Sequence, residues 1–285
     1  MSGRVEGRVA LVTGAASGIG RGCAEKLAAE GAVAIVTDVQ DEKGAETVAA
    51  IVGAGGKAEY FHHDVTDEAA WESVIAQVKA SFGRLDILVN NAGIGIGGPL
   101  ELIAPEDLRR QLDVNVLGQI AVTQAMLPAL RRAHGRIVFL SSIGGRVAMA
   151  FTAPYAASKH AIEAIGDALR VELRTSGVQV ALVEPGSVAT PIWDKARAEG
   201  EQLTVPEDLQ REYGHIPAAM NKALEDTVER GVPPEQVAQT IERALTARRM
   251  KARYLIGRDA KAMVFARRLL PDLVFDRLVR RALGV

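Results

Sequence analysis

A doubly wound α/β fold built on a parallel sheet follows from three features of the sequence. Short β-branched runs alternate with longer segments of helical period from the start of the chain. Most of the runs are nearly continuously apolar, as strands covered by helices on both faces must be. A glycine-rich turn joins the first run to the first helical segment. Composition agrees: 285 residues, 48% hydrophobic and 24% charged, carry enough apolar material for a packed core and exclude intrinsic disorder. One domain is the expectation for an α/β chain of this length.

Arg8–Thr13, Ala32–Thr37, Lys57–Asp64, Asp86–Asn90, Arg136–Ser141 and Val178–Glu184 read as strands. Between them, Gly18–Glu30, Asp41–Val52, Asp67–Phe82, Pro105–Ala133 and Tyr155–Ser176 carry apolar residues at helical spacing, often opening on an acid or a proline. Right-handed crossovers then set helices on both faces of the sheet. After Glu184 the alternation stops. Pro185–Val232 is rich in charge, glycine and proline, with weak helical pattern only in Asp194–Glu199 and Pro217–Glu229, and reads as a mobile excursion over the sheet. Pro233–Ala247 follows as a helix, Ala252–Ile256 as a last strand, and Ala260–Leu270 and Pro271–Leu283 as helices divided by proline. Neither a repeat nor a linker marks a second domain. The expectation is a single unit over 1–285: a core over about 5–190, a covering loop over 191–231 and an extension over 246–285.

That extension is electrostatically distinct. From Thr246 to Val285, eleven Lys or Arg stand against three Asp, while the whole chain carries a net charge of −1. A solvated basic face with subunit contact is one reading; membrane-surface binding by a basic amphipathic helix is the other. The single cysteine, Cys23, excludes a disulfide framework within one chain and suits a reducing compartment, so the cytoplasm is expected. No run approaches the roughly 20 apolar residues of a transmembrane span.

The turn Gly14-Ala15-Ala16-Ser17-Gly18-Ile19-Gly20 has the form of a phosphate cradle. Glycines at 14, 18 and 20 permit a tight turn and let backbone N–H groups approach a pyrophosphate, whose charge the following helix N-terminus favours. Gly20 is followed by Arg21-Gly22 and not by Lys-Ser/Thr, which favours a dinucleotide over a triphosphate. A plain glycine turn before a helix is the competing reading, and the position after the first strand argues against it. Asp38 ends the second strand, where a carboxylate would accept the adenosine ribose hydroxyls and repel a 2′-phosphate. NAD is therefore expected over NADP, with Arg21 a nearby cation that softens the discrimination; a helix-capping role for Asp38 stays open.

Tyr155 and Lys159 lie four residues apart, on one face of a helix. A phenol titrates near pH 10 and is a poor base at neutrality unless a cation lowers its pKa. On its own the pair also fits an ordinary surface contact.

With these elements together the chain resembles the short-chain dehydrogenase/reductase family, a Rossmann-type fold. The matching residues run in family order over about 5–190: Thr13 to Gly20, Asp64-Val65, Asn90-Asn91-Ala92-Gly93, Asn115 within Asp113 to Val116, Ser141-Ser142, Tyr155-x-x-x-Lys159 and Pro185-Gly186. The resemblance implies an NAD(P)-dependent oxidoreductase with Asn115, Ser142, Tyr155 and Lys159 as its catalytic residues. Ser142 would hold the substrate oxygen beside Tyr155, which moves the proton. Lys159 would hold the nicotinamide ribose and lower the Tyr155 pKa, and Asn115 would hold a water linking Lys159 to solvent. Gly14, Ser17, Gly18, Ile19, Gly20, Asp38, Asp64, Val65, Asn90 to Gly93, Pro185, Gly186, Val188 and Thr190 would contact the cofactor; for Asp64 a strand-end cap is an equal reading.

The histidines His62, His63, His134, His160 and His215 lack metal-ligand spacing, and Ser141-Ser142 lacks a nucleophile elbow, so neither a metal site nor a hydrolase is expected. Ile94, Ile96, Leu100, Met149, Ala150, Phe151, Ile192, Trp193, Leu203 and Tyr213 outline an apolar pocket, and the C-terminal segment resembles the steroid- and retinoid-acting branch of the family. A lipophilic alcohol or ketone is the expected substrate; loop packing is the alternative use of these residues. A catalytically silent dinucleotide-binding interaction protein is the rival function, against which the intact Tyr155 and Lys159 argue. No nucleic-acid partner is expected. Apolar residues on more than one face of Pro105–Ala133 and Tyr155–Ser176 point to a homo-oligomer, a tetramer slightly ahead of a dimer.

Overall fold

Seven strands pair side by side in the order β3-β2-β1-β4-β5-β6-β7, each parallel to its neighbours. They are β1 (Val9–Thr13), β2 (Val33–Asp38), β3 (Lys57–His62), β4 (Ile87–Asn90), β5 (Arg136–Leu140), β6 (Gln179–Pro185) and β7 (Arg253–Ile256). The computed structural model describes residues 3–190, 192 and 205–283. Order reverses between β1 and β4, so the loops leaving those two strands diverge and open a crevice at their C-terminal ends.

Alternation along β1 divides the interior into two cores. Ala10 and Val12 face one, with Cys23 and Leu27 of α1 (Gly18–Ala29), Ile51 of α2 (Asp41–Gly53) and, further along the chain, Val237 and Ile241 of the helix Pro234–Thr246. Val9 and Leu11 face the other, with Trp71 of α3 (Glu68–Phe82) and with Met126 and Ile162 from two later helices. β1 and β4 are buried along their whole length. This is why their sequences are apolar at every position. β3 is an edge strand, with Lys57 and His62 exposed and the rest half-buried.

Pro105–Ala133 is not one helix. α4 (Pro105–Leu112) gives way to a π turn over Asp113–Leu117 before α5 (Gly118–Arg132) begins. A π turn holds an extra residue per turn, and this one buries Asn115 completely. The start of α5 comes so close to the segment after β3 that a Cβ on Gly118 would stand 2.8 Å from the Val65 carbonyl oxygen. α6 (Ala153–Glu172) begins two residues before Tyr155, and Arg174–Ser176 closes it as a separate 3-10 turn.

The described part of the excursion after residue 204 is more ordered than its sequence predicts. Its weak pattern over Pro217–Glu229 is a full helix, α7 (Ile216–Arg230), and a parallel bridge between Val188 and Val232 ties the two ends of the excursion together. Asp194–Glu199, Trp193 and Leu203 lie outside the described residues. α8 (Pro234–Thr246) then packs on α1, and α9 (Arg258–Leu269) and α10 (Asp272–Leu283) follow β7. These last two helices bury Phe275 beneath the Arg267 guanidinium but leave Phe265, Leu269, Leu273 and Leu278 exposed. Among the described residues no helix is long and apolar enough to cross a membrane.

Candidate active site

The C-terminal ends of β1, β2, β4, β5 and β6 surround a cleft of about 420 Å³, within the size range of small-molecule sites. Its floor is the turn after β1. Gly14 and Gly18 adopt left-handed backbone, φ +63° and +55°, a conformation that favours glycine. Gly20 is buried against the turn, where a Cβ would collide with the Gly14 carbonyl oxygen and the Asn91 side-chain amide. The turn is held from the β4 side: Asn91 Nδ2 donates to the Thr13 and Gly14 carbonyls at 2.8 and 3.0 Å. Thr13 Oγ1 in turn accepts the Asn91 and Ala92 amides, both at 3.0 Å.

Asp38, at the end of β2, is 7% exposed and lines the cleft. One carboxylate oxygen accepts the Ala16 amide at 3.0 Å and the other the Gln40 amide at 3.1 Å. The carboxylate is thereby fixed to the glycine turn itself. Arg21 does not reach the cleft: it pairs with Glu25 at 2.8 Å on the outer side of α1. Besides Lys159, the cations among the described residues that line the cleft are Lys43, whose Nζ donates to Gln40 at 3.1 Å, and Arg110 from α4.

At the other end, Ser142, Tyr155 and Lys159 share the cleft wall. Ser142 follows β5 and its Oγ accepts the Gly144 amide at 3.1 Å. Tyr155 and Lys159 stand one turn apart on α6, with the ammonium 5.7 Å from the phenol ring centre. Burial holds the Lys159 pKa down to about 8, with Glu163 opposing, and its Nζ donates to the Leu140 carbonyl at 2.8 Å. Burial also raises the Tyr155 pKa, against a smaller opposite effect of a hydrogen bond with Ser142. The sequence-based expectation of a lowered phenol is therefore not met here, because the ammonium is turned to a carbonyl and desolvation dominates.

Asn115 does not line the cleft. Its side chain accepts the Ile94 amide at 2.8 Å and donates to the Ile94 carbonyl and to Ser158 Oγ, at 2.9 and 3.1 Å. It braces the segment after Gly93 against α6. Gly20 and Asn90 also stand behind the wall, Asn90 donating to Thr123 at 2.9 Å. The remaining expected residues, Ser17, Ile19, Asp64, Val65, Asn91 to Gly93, Pro185, Gly186, Val188 and Thr190, all border the cleft. Asp64 Oδ1 closes a turn on Thr66 at 2.9 Å while bordering it, so the capping reading also describes its geometry.

The apolar pocket is sparser than expected. Ile94 and Ile192 line the cleft, but Leu100 is exposed and Ile96 is buried, its amide held by Gln111 at 2.7 Å. Sequence reasoning named Thr13 only as the start of the glycine motif and His63 only as a rejected metal ligand, and it missed Leu140 and Gln111. Thr13 and Leu140 act through an oxygen acceptor that no spacing betrays; His63 is buried edge-on to Trp71, ring centres 3.7 Å apart, and borders the cleft. His215 is exposed and takes no part in the cleft wall. Among the described residues no cluster could hold a metal ion. A separate groove of about 870 Å³, bordered by Arg170, Arg174, Arg248 and Arg249, contains none of these site residues.

Comparison with known proteins agrees with this geometry. The short chain dehydrogenase family profile matches residues 8–201. An NADPH-dependent 3-dehydrocapnine reductase of Ornithobacterium rhinotracheale is 34% identical over 284 residues, 95% of each chain. A cyclopentanol dehydrogenase of Comamonas testosteroni is 40% identical over 191 residues, 67% of this chain and 76% of its own. Among solved structures, a short chain dehydrogenase/reductase of Burkholderia phymatum in complex with NAD superposes with a TM-score of 0.82 at 30% identity, covering 93% of this chain and 94% of that one.

Proposed function

The chain belongs to the short-chain dehydrogenase family, and on that premise we propose that it interconverts a lipophilic alcohol and its ketone or aldehyde, using NAD(H) in preference to NADP(H). The observation that carries this reading is the meeting, in one cleft, of Ser142, Tyr155 and Lys159 with the glycine turn and the Asp38 carboxylate. The residues fit a dinucleotide. Gly14 and Gly20 leave a backbone cradle that a Cβ would fill, and Asp38 offers acceptors where ribose hydroxyls would lie.

Bound nicotinamide would donate or accept the hydride. The chain's own residues handle the oxygen and the proton. Ser142 holds the substrate oxygen, and Tyr155 gives its proton to that oxygen in reduction or takes one in oxidation. Lys159 would hold the ribose hydroxyls, and its ammonium, if turned from the Leu140 carbonyl toward the phenol one turn away, would favour the phenolate of Tyr155. Asn115, with its side chain committed to Ile94 and Ser158, acts as a brace that holds the segment after Gly93 against the helix carrying Tyr155 and Lys159. An amine whose pKa lies near 8 changes charge close to working pH, as a group in a proton path should. Retention of both Tyr155 and Lys159 favours turnover over a silent binding role.

The 191–231 segment serves as the substrate cover. Tyr213 donates to Glu101 at 2.8 Å, and Met220 of α7 approaches Gly97, so the far part of the segment rests on the loop after β4. A homo-oligomer completes the reading, since Leu117, Val171 and Leu273 stand exposed on the outer helices and a second copy would cover them. The resemblance of the C-terminal segment to the steroid- and retinoid-acting branch puts such molecules first among the candidates to be tried. The test is a panel of secondary alcohols and ketones with NAD and NADP, followed by absorbance of the reduced nicotinamide. Turnover of a lipophilic member with NAD is expected; turnover only with NADP, or binding without turnover across the panel, overturns the respective part.

A further inference from the structure

Behind Lys159, on the side away from the cleft, two carboxyl groups are buried together. Glu163 is one helical turn beyond Lys159 on α6, and Glu184 directly precedes the cleft-lining Pro185-Gly186 on β6. Their side chains are 8% and 2% exposed. A single nitrogen, Arg253 Nε of β7, stands 3.0 Å from Glu163 Oε2 and 3.0 Å from Glu184 Oε1. One N–H cannot direct its hydrogen fully at both. Arg146, from the loop after β5, reaches Glu184 Oε1 at 3.1 Å, whereas Glu163 Oε1 is buried with no donor. Asp167, the third carboxylate at this point, is 42% exposed and bound by Arg253 and Arg170, at 2.6 and 2.7 Å. The outer acid is supplied and the inner pair is short of a donor.

We propose that Glu163 and Glu184 share one proton across the α6–β6 contact, and that its loss places a negative charge behind Lys159 that keeps the lysine an ammonium on the alkaline side of neutrality. Both glutamates are thus positioning residues that act through Lys159, and this part rests on the role given to Lys159 under the proposed function. The charge state follows from the surroundings. Burial and the negative Glu163 push the Glu184 carboxyl up to about 7, Arg146 opposing. Glu163 in turn favours the charged form of Lys159. Gly145 seals the pair from above: a Cβ there would press on Glu163 Cγ and the Lys159 carbonyl, both at 2.9 Å. As pH rises through 7 the pair gives up its proton, and the added charge upholds the ammonium just where solution pH begins to remove it.

Glu184→Gln and Glu163→Gln test this, because each amide still donates a hydrogen bond to the remaining carboxylate but cannot titrate. Infrared spectroscopy of the unmodified protein should show the C=O stretch of a protonated carboxylic acid that vanishes with a midpoint near pH 7, and both variants should lack it. NADH affinity, read by fluorescence, should match the unmodified protein at pH 6 in both variants. By pH 8.5 it should be about three- to tenfold weaker, the effect of half to one pKa unit at Lys159. A band that is missing from the unmodified protein, or that survives in either variant, refutes the shared proton. Variant affinities that differ by the same factor at every pH refute the action through Lys159 and leave the glutamates a structural role. If the unmodified protein binds no NADH at all, the proposed function fails and the coupling with it, while the infrared band still decides the proton.

Discussion

The rim of the cleft that comes from β1, β2 and β4 and the chain beyond Gly186 are built on different terms. In the first, each functional position is fixed by contacts that admit one residue type: Gly20 against a carbonyl, Asn91 across Thr13 and Gly14, Asp38 on the Ala16 amide. In the second, α8 and β7 pack firmly into the sheet, but outer side chains of the last two helices are held loosely or not at all. Leu273 is 74% exposed and Phe265 65%. The lesson is that a cradle for a dinucleotide is written into backbone geometry, which restricts residue type, whereas an exposed outer helix face carries no such restriction.

Substitutions should separate the two regions by the size of their effects. The largest belongs to Tyr155→Phe, which keeps the ring on α6 and removes the proton carrier. Turnover on a verified substrate should fall by roughly 10²–10⁴ with NADH binding largely unchanged, as measured by steady-state kinetics beside fluorescence titration; retention of most activity would place the proton elsewhere. Next is Gly20→Ala. The added Cβ meets backbone at Gly14, which cannot yield as a side chain could, so thermal stability should drop by several kcal/mol and NADH binding should be lost. An alanine variant that melts and binds like the parent would break the contrast drawn above.

Asp38→Ala should narrow the gap between NAD and NADP affinities by about tenfold or more, because a carboxylate against a 2′-phosphate costs several kcal/mol when desolvated. It should also loosen the glycine turn, which loses the acceptor for Ala16. Equal affinity for the two cofactors in the unmodified protein would remove the basis of the assignment and turn attention to Lys43 and Arg110. The smallest effect is expected in the tail. Phe265→Gln and Leu273→Gln should each change monomer stability by no more than about 0.5 kcal/mol. Light scattering sharpens this: if those side chains are covered by a second copy, the same variants lower the mass in solution toward 30.3 kDa.

How far the sequence could be read follows the same division. The strands, the glycine turn and the Tyr155/Lys159 pair were legible because each leaves a mark in residue type: double-sided burial demands apolar runs, a left-handed turn demands glycine, and helical spacing sets two groups on one face. The π turn was not, since Asp113–Leu117 has no composition that distinguishes it from the helix on either side. Its cause lies in the Asn115 contacts to Ile94 and Ser158, which are distant in sequence. α7 was read as weak pattern because only Ile216 of its residues is fully buried, so the apolar stripe is thin. The nearby cation was assigned to Arg21 by proximity along the chain, whereas the cleft receives Lys43, brought in by the start of α2. Acceptors such as the Leu140 carbonyl are invisible to any reading of side-chain types.

Cys23 gives the molecule a built-in reporter. It is the single cysteine, fully buried on α1 three residues after Gly20, and burial raises its thiol pKa far above the usual range. A thiol-reactive dye can reach it only when α1 lifts from the sheet, so the labelling rate measures how often the helix that carries the phosphate cradle opens. Ligands that grip the cradle should slow the dye in proportion to the fraction of sites they fill. The chain can therefore be screened for what it binds before any substrate is known, with no mutation and no enzymatic turnover, by timing one chemical reaction at one sulfur atom.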